Sequence, residues 1–189
     1  MIKLNNKVPD VLLEQCKAGD RRAQEMIYKA FSPRLFAVCL RYSSDHMEAE
    51  DLLMIGFTNI FLKINSYTGD GSFEGWMRSV VVNVALSNYR KKQRRVSTVS
   101  MDDHIILDYS TSQYNKCDTD YLTQALRVLP RHYRIAFNMH AVEGYSHKEI
   151  SEALNITETC SKVHVSRARK ILQRTLRDSI AMGAKEFAA

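Results

Sequence analysis

Between Ser146 and Leu172 the sequence spells out two helices and the turn that joins them, and few folds accommodate that order. Ser146-His147-Lys148-Glu149 fits a capping box, in which the Ser oxygen takes the N3 amide and the Glu reaches back. The helix so started ends near Leu154-Asn155, where Asn tolerates the left-handed conformation. The turn is Asn155-Ile156-Thr157, and Thr157 can cap a second helix of about twenty residues beginning at Glu158. Ile150, Ala153, Leu154 and Ile156 are small or apolar where the two helices must meet. Val165, Ala168 and Leu172 step by three and four along the second helix and mark its buried stripe, which Ser161 extends backwards. This is a helix-turn-helix arrangement.

The opposite side of the second helix holds Thr159, Lys162, Val163, Ser166, Arg167 and Lys170, which also step by three and four. Such a face suits a DNA major groove. Lys162 and Arg167 would reach base edges or phosphates, Thr159 and Ser166 would make shorter hydrogen bonds, and Val163 could touch a thymine methyl. Arg169, Arg174 and Arg177 lie further round or along and suit phosphates. A basic helix alone would favour a merely solvated surface. The capping box, the turn and the buried stepping together favour DNA.

The rest of the chain also reads as helix. Seven Gly and three Pro in 189 residues are too few for a turn-rich β protein. Asp10 and Asp20 are N-cap candidates, and Gly19 can end the first helix. Ser32-Pro33 is expected to break the second helix and start a third. Asp45 can cap a long helix from His46 to about Ser66, with Leu52, Leu53, Phe57, Ile60, Phe61 and Ile64 at helical spacing. Thr68-Gly69-Asp70-Gly71 forms a loop. Ser72 caps a helix carrying Phe73, Trp76, Met77, Val80, Val81 and Val84 and ending in Arg90-Lys91-Lys92-Gln93-Arg94-Arg95. Periodicity then fails over 96–118, a stretch with four Asp and one Lys. That stretch reads as an acidic linker, within which Ile105-Ile106-Leu107 could dock. Helices resume near Thr119, Pro130 stands at a first helical position, and Gly144 ends the next helix. The expected fold is therefore all-α: two small helical domains, 1–95 and 119–189, joined by a linker, the second a helix-turn-helix.

In the first domain, Trp76 and Asn83 follow a Gly-rich loop. An aromatic and an amide beside a flexible loop suit a single-stranded or flipped base. Trp76 shares a stripe with Phe73 and Val80, however, which favours packing over base stacking. The basic run Arg90, Lys91, Lys92, Arg94 and Arg95 would neutralise phosphates, or simply complement the helix macrodipole. The acidic start Asp45, Glu48, Glu50 and Asp51 equally belongs at a helix N-terminus.

A formal net charge of +6 agrees with a polyanion partner without selecting one. No apolar run reaches membrane-spanning length, and Met1 to Pro9 does not read as a signal peptide, so a cytoplasmic protein is expected. Cys16, Cys39, Cys117 and Cys160 are far apart and read as reduced, mostly buried thiols. No metal site, cofactor site or catalytic set is expected.

These residues resemble the extracytoplasmic-function sigma factors, the smallest members of the sigma-70 group, with a flavour similar to those of Bacteroidota. Four stretches in order carry the resemblance. Ala49-Glu50-Asp51-Leu52-Leu53 with Phe57 is similar to the helix that binds RNA polymerase. Gly71-Ser72-Phe73-Glu74-Gly75-Trp76-Met77 with Asn83 is similar to the loop and helix that open and read the minus-ten element. Leu129-Pro130 with Arg134 resembles the start of the second domain. Gly144-Tyr145-Ser146-His147-Lys148-Glu149-Ile150, then Ser161-Lys162 and Ser166-Arg167-Ala168-Arg169, resembles the reader of the minus-thirty-five element.

The resemblance implies that Asp51, Leu52, Leu53 and Phe57 belong to the surface meeting the polymerase β′ clamp, with the apolar ones partly core. It implies that Asn83 and the loop Gly69, Asp70, Gly71 and Ser72 meet a non-template base, and that the linker threads toward the active-site channel. The implied partners are core polymerase (β′ and β), promoter DNA and, in many members, a membrane-bound anti-sigma factor. Met54-Ile55 departs from the Gln and acidic residue usual there, and Thr159-Cys160 from the usual Gly-Thr. A stand-alone helix-turn-helix regulator is the competing reading. A decoy that binds polymerase or an anti-sigma factor without reading promoters is a third.

Overall fold

A computed structural model describes residues 8–97 and 126–186, with side chains over 8–94 and 126–177. The expected linker 96–118, Ile105-Ile106-Leu107, Cys117 and the restart near Thr119 lie outside these residues, apart from 96 and 97 at the end of a helix. The described residues are helical without a strand. They fall into two compact units divided between Val96 and Ser97.

The first unit contains α1 (Asp10–Lys17), α2 (Arg21–Tyr42), α3 (His46–Lys63), a 3-10 turn (Ile64–Ser66) and α4 (Phe73–Ser97). Asp20 caps α2 through the amides of Arg22 and Ala23. Asp45 caps α3 through the Glu48 amide, and Ser72 Oγ takes the Gly75 amide at the start of α4. Asp10 does not cap: Pro9 holds that position and Asp10 is already helical, so its charge complements the first turn.

Pro33 breaks nothing, contrary to the sequence expectation. It sits inside α2, which runs unbroken for 22 residues. An interior Pro costs about 3 kcal/mol. Phe31, Leu35, Val38 and Tyr42 are all buried on one side of the helix. At about 1.5–3 kcal/mol per buried large apolar side chain, that stripe outweighs the Pro. Pro33 itself faces solvent, where water can serve the carbonyl it leaves unbonded.

The core of this unit is made of Ile27 and Leu35 from α2, Leu52 and Ile60 from α3, and Met77 and Val81 from α4. Gly56 lets α3 approach α4 closely: a Cβ built there would lie 2.9 Å from Val81 Cγ2. The buried stripe of α4 differs from the expected one. Trp76, Val80 and Val84 are half-buried, while Val82, Ala85, Leu86 and Tyr89 join Phe73, Met77 and Val81 inside.

The second unit contains α5 (Arg131–Phe137), a π-helical turn (Asn138–Val142), α6 (His147–Leu154) and α7 (Glu158–Glu186). Pro130 is the N-cap rather than the first helical residue, with extended backbone at ψ 140°. The π turn was not expected; in it the Glu143 amide bonds back to the Asn138 carbonyl. Asn138 and Met139 are both fully buried there, and Gly144 then reverses the chain at φ +82°. The helix α7 extends for 29 residues, longer than the sequence suggested. Leu126, Leu129, Ala168 and Leu172 form a core cluster, with Tyr133, Phe137 and Ile171 packed against it.

Candidate nucleic-acid interface

The helix-turn-helix forms as its caps dictate. Ser146 and Glu149 close a reciprocal capping box at the start of α6. Asn155 ends α6 in the left-handed region, at φ 56° and ψ 48°. Thr157 Oγ1 takes the Cys160 amide and opens α7. Ile150, Ser161, Val165, Ala168 and Leu172 are buried. The polar Ser161 is satisfied there by His147 Nδ1 at 3.1 Å, a bond that joins the two helices.

With that stripe inside, Thr159, Lys162, Val163, Ser166, Arg167 and Lys170 are all exposed. Arg169, Arg174 and Arg177 are exposed as well. The result is a polar, mostly cationic surface on a helix whose width fits a major groove. Two of its charges are already engaged. Lys162 pairs with Glu158 at 2.8 Å, and Arg167 Nη1 donates to the Tyr133 hydroxyl at 2.9 Å. The Lys162 pair is exposed on both sides and is easily exchanged for a phosphate.

Histidines line this unit in a way the sequence did not reveal. His132 packs edge-on against Tyr133 and His164, and His140 stacks on His147 at 4.4 Å. Burial, then repulsion from His164 and Arg167, holds His132 below the usual 6.5. Burial, then Arg167, does the same for His164. His147 is lowered by burial, His140, Lys162 and Arg169 against an opposing Glu158. Each fold-depressed imidazole favours the neutral form, so its contribution is complete above pH 6.5 and is lost as pH falls below that through the folded value. The unit should therefore lose stability from pH 6.5 downward. Amide exchange of α6 and α7 followed from pH 7.5 to about 5 checks this. Unchanged protection would refute it.

In the first unit, Gly69 and Gly71 take φ +92° and +80°, which side-chain-bearing residues rarely adopt. The loop is closed by Thr68 Oγ1 to Asp70 and by the Tyr67 hydroxyl to the Gly71 carbonyl at 2.8 Å. Gly69, Asp70, Gly71 and Ser72 are all exposed. Trp76 is half-buried and stacked on Phe73, with Tyr67 at 5.7 Å, so it belongs to the core margin. Asn83 is exposed two turns further along α4. In the basic run, Lys91, Lys92 and Arg94 are exposed and Arg90 is half-buried; the side chain of Arg95 lies outside the described residues.

Of the residues expected at the polymerase surface, Asp51 is exposed, while Leu52, Leu53 and Phe57 are buried and serve mainly as core. The exposed large apolar residues of α3 are Met47, Met54, Ile55 and, near its end, Leu62. Met47, Met54 and Ile55, with Asp45, Glu48, Asp51, Leu52, Asn88 and Lys92, line an open groove of about 420 Å³.

Sequence reasoning also missed the role of Glu48, which it took as a helix-end charge. Its carboxylate is buried and accepts from the Ser44 amide and hydroxyl, from Asn88 Nδ2 at 2.7 Å and from Lys92 Nζ at 3.1 Å. One side chain thus fastens two successive turns of α4 to the start of α3. The local signal was Ser44-Asp45 followed by Glu48, a variant of the capping box; the α4 partners had none.

The chain has counterparts among known proteins. Residues 27–95 match the family model Sigma-70 region 2, and residues 119–172 match Sigma-70, region 4. Together the two matches span more than half of the chain. The chain is similar to the RNA polymerase sigma-H factor of Pseudomonas aeruginosa, 22% identical over 177 residues, covering 87% of this chain and 92% of that one. It is similar to the ECF RNA polymerase sigma factor SigW of Bacillus subtilis, 24% identical over 181 residues, covering 88% and 95%. Among solved structures it is similar to the sigma factor RpoE of Bartonella quintana in complex with the anti-sigma factor NepR, at 25% identity and TM-score 0.50, covering 81% and 96%.

Proposed function

The chain belongs to the sigma-70 family and is an RNA polymerase sigma factor; from that premise we propose that it is an extracytoplasmic-function member, of the kind found in Bacteroidota, that uses each domain for one promoter element. Residues 1–95 hold core polymerase and read the minus-ten element, residues 96–118 link, and residues 119–189 read the minus-thirty-five element. The observation that carries this reading is the exposed face of α7, polar and cationic over Thr159 to Lys170, on a chain that matches both sigma-70 regions.

The exposed face of α7 is assigned to the major groove and Asn83, with the loop Gly69–Ser72, to a non-template base. Arg90, Lys91, Arg94 and Arg95 serve phosphates, with Lys92 weakened in that role by its bond to Glu48. Polymerase is met by Asp51 with Met47, Met54 and Ile55, which face solvent where Leu52, Leu53 and Phe57 do not. The protein acts in the cytoplasm and catalyses nothing itself. No described helix is long and apolar enough to cross a membrane. An anti-sigma factor is the further partner, as in the Bartonella complex.

The test is reconstitution. Core polymerase plus this chain should initiate at specific sites on genomic DNA, and no gain over core alone would overturn the reading. Arg167→Ala should lower initiation at promoters that depend on the minus-thirty-five element by roughly tenfold, the value of one lost base-reading Arg, with core affinity unchanged. Equal loss of core binding would contradict that assignment. Asn83→Ala should alter base preference at the minus-ten element, read by transcription from randomised templates; an unaltered preference would return Asn83 to the surface.

A further inference from the structure

Arg167 does not stand free on the reading face of α7. Its Nη1 donates to the hydroxyl of Tyr133, 34 residues earlier in the chain, at 2.9 Å. Tyr133 is well placed to act as a fixed post. Its ring is half-buried against the cluster of Leu126, Leu129, Ala168 and Leu172. His132 lies 4.0 Å from it and His164 5.2 Å, both edge-on, so the ring is enclosed on its other sides. Its hydroxyl is the group that meets Arg167.

A free Arg side chain has many rotamers, and fixing it costs about 2 kcal/mol of conformational entropy. A bond to a rigid phenol removes much of that freedom before DNA arrives, which is how preorganisation sharpens recognition. The bond uses one of five N–H donors. The Nε–Nη2 edge keeps the two-donor fork that matches the Hoogsteen edge of guanine or a phosphate.

We propose that Tyr133 is a positioning residue for promoter reading: its hydroxyl aims the Arg167 guanidinium and thereby sets base selectivity at the upstream element. The inference rests on the assignment of α7 to the minus-thirty-five element. Tyr133 touches no base itself. Its effect passes through Arg167 alone.

The experiment is transcription by core polymerase carrying this chain on a template library randomised across the upstream element, with transcripts sequenced. The variants are Tyr133→Phe, Arg167→Ala and the double variant, each with its thermal unfolding and core affinity measured. Tyr133→Phe keeps the ring and removes only the hydroxyl, so unfolding and core affinity should match wild type. At the positions where Arg167→Ala flattens base preference, Tyr133→Phe should weaken it by roughly 3–10-fold, within the range of one base contact. The double variant should be no worse than Arg167→Ala. If Arg167→Ala flattens preference and Tyr133→Phe leaves it intact or sharper, Tyr133 is only a packing residue and the proposal fails. If Tyr133→Phe weakens preference equally in the absence of Arg167, it acts by another route and the proposal also fails. If Arg167→Ala changes nothing, the assignment of α7 falls first and takes the proposal with it.

Discussion

Gly56→Val is expected to lower the unfolding free energy of the first domain by about 3 kcal/mol, the upper part of the range for overpacking a filled core. A Cβ at position 56 meets Val81 Cγ2 at 2.9 Å and the Val81 Cα at 3.9 Å, so the obstruction is side chain backed by helix. Val81 is itself fully buried, so its displacement would disturb the packed interior. Ala at 56 is the informative control. It gains up to about 1 kcal/mol of helix propensity over Gly, which offsets part of the clash, whereas β-branched Val gains less and adds two methyl groups. The order of urea midpoints should be wild type, then Ala, then Val. A Val variant as stable as wild type would show that α3 and α4 separate without cost. Because α4 carries Asn83 and the basic run, its displacement should also reduce promoter opening.

The second large effect is expected at Glu48. Replacing it with Ala removes the acceptor for the Ser44 amide and hydroxyl and for Asn88 Nδ2, all at a site where the carboxylate is 7% exposed. Leaving such donors unpaired costs about 1–3 kcal/mol, and a loss of about 2 kcal/mol is expected overall. Lys92 adds little to that figure, since its side chain is 47% exposed and water can replace the lost partner. Glu48→Gln keeps an acceptor oxygen and should recover part of the loss. Thermal unfolding of the two variants, with amide exchange at Ser44, measures both. Equal stability of the Ala and wild-type proteins would mean that the junction of α3 and α4 is held by apolar packing alone.

These two positions also show what the sequence could and could not disclose. Caps were legible because they close over two or three residues: Asp20, Asp45, Ser72, the Ser146–Glu149 box, Asn155 and Thr157 all act where they stand. The buried and exposed faces of α7 were legible because Val165, Ala168 and Leu172 contrast with polar neighbours. In α3 the contrast fails. Met47, Leu52, Leu53, Met54, Ile55 and Phe57 are all apolar, and nothing local says that Met54 and Ile55 face water while Leu52 and Phe57 do not. Pro33 was misread because its cost is local while the burial that outweighs it is tertiary. The bonds Glu48 to Asn88 and Arg167 to Tyr133 span 40 and 34 residues, beyond any periodicity. The resemblance to sigma factors lay in the order of four short stretches, no one of which would have sufficed.

The π turn of Asn138–Val142 carries a consequence for how such a reader could be retuned. A π turn holds one residue more than the α-helical turn it replaces, and each residue advances a helix by roughly 100°. The extra residue therefore sets the angular phase at which the chain leaves α5 on its way through Gly144 to α6. If α7 reads DNA as proposed, substitution on it would change which chemical groups meet the duplex. Gain or loss of a single residue in the π turn would instead re-aim the whole reading helix while every contacting side chain stayed the same.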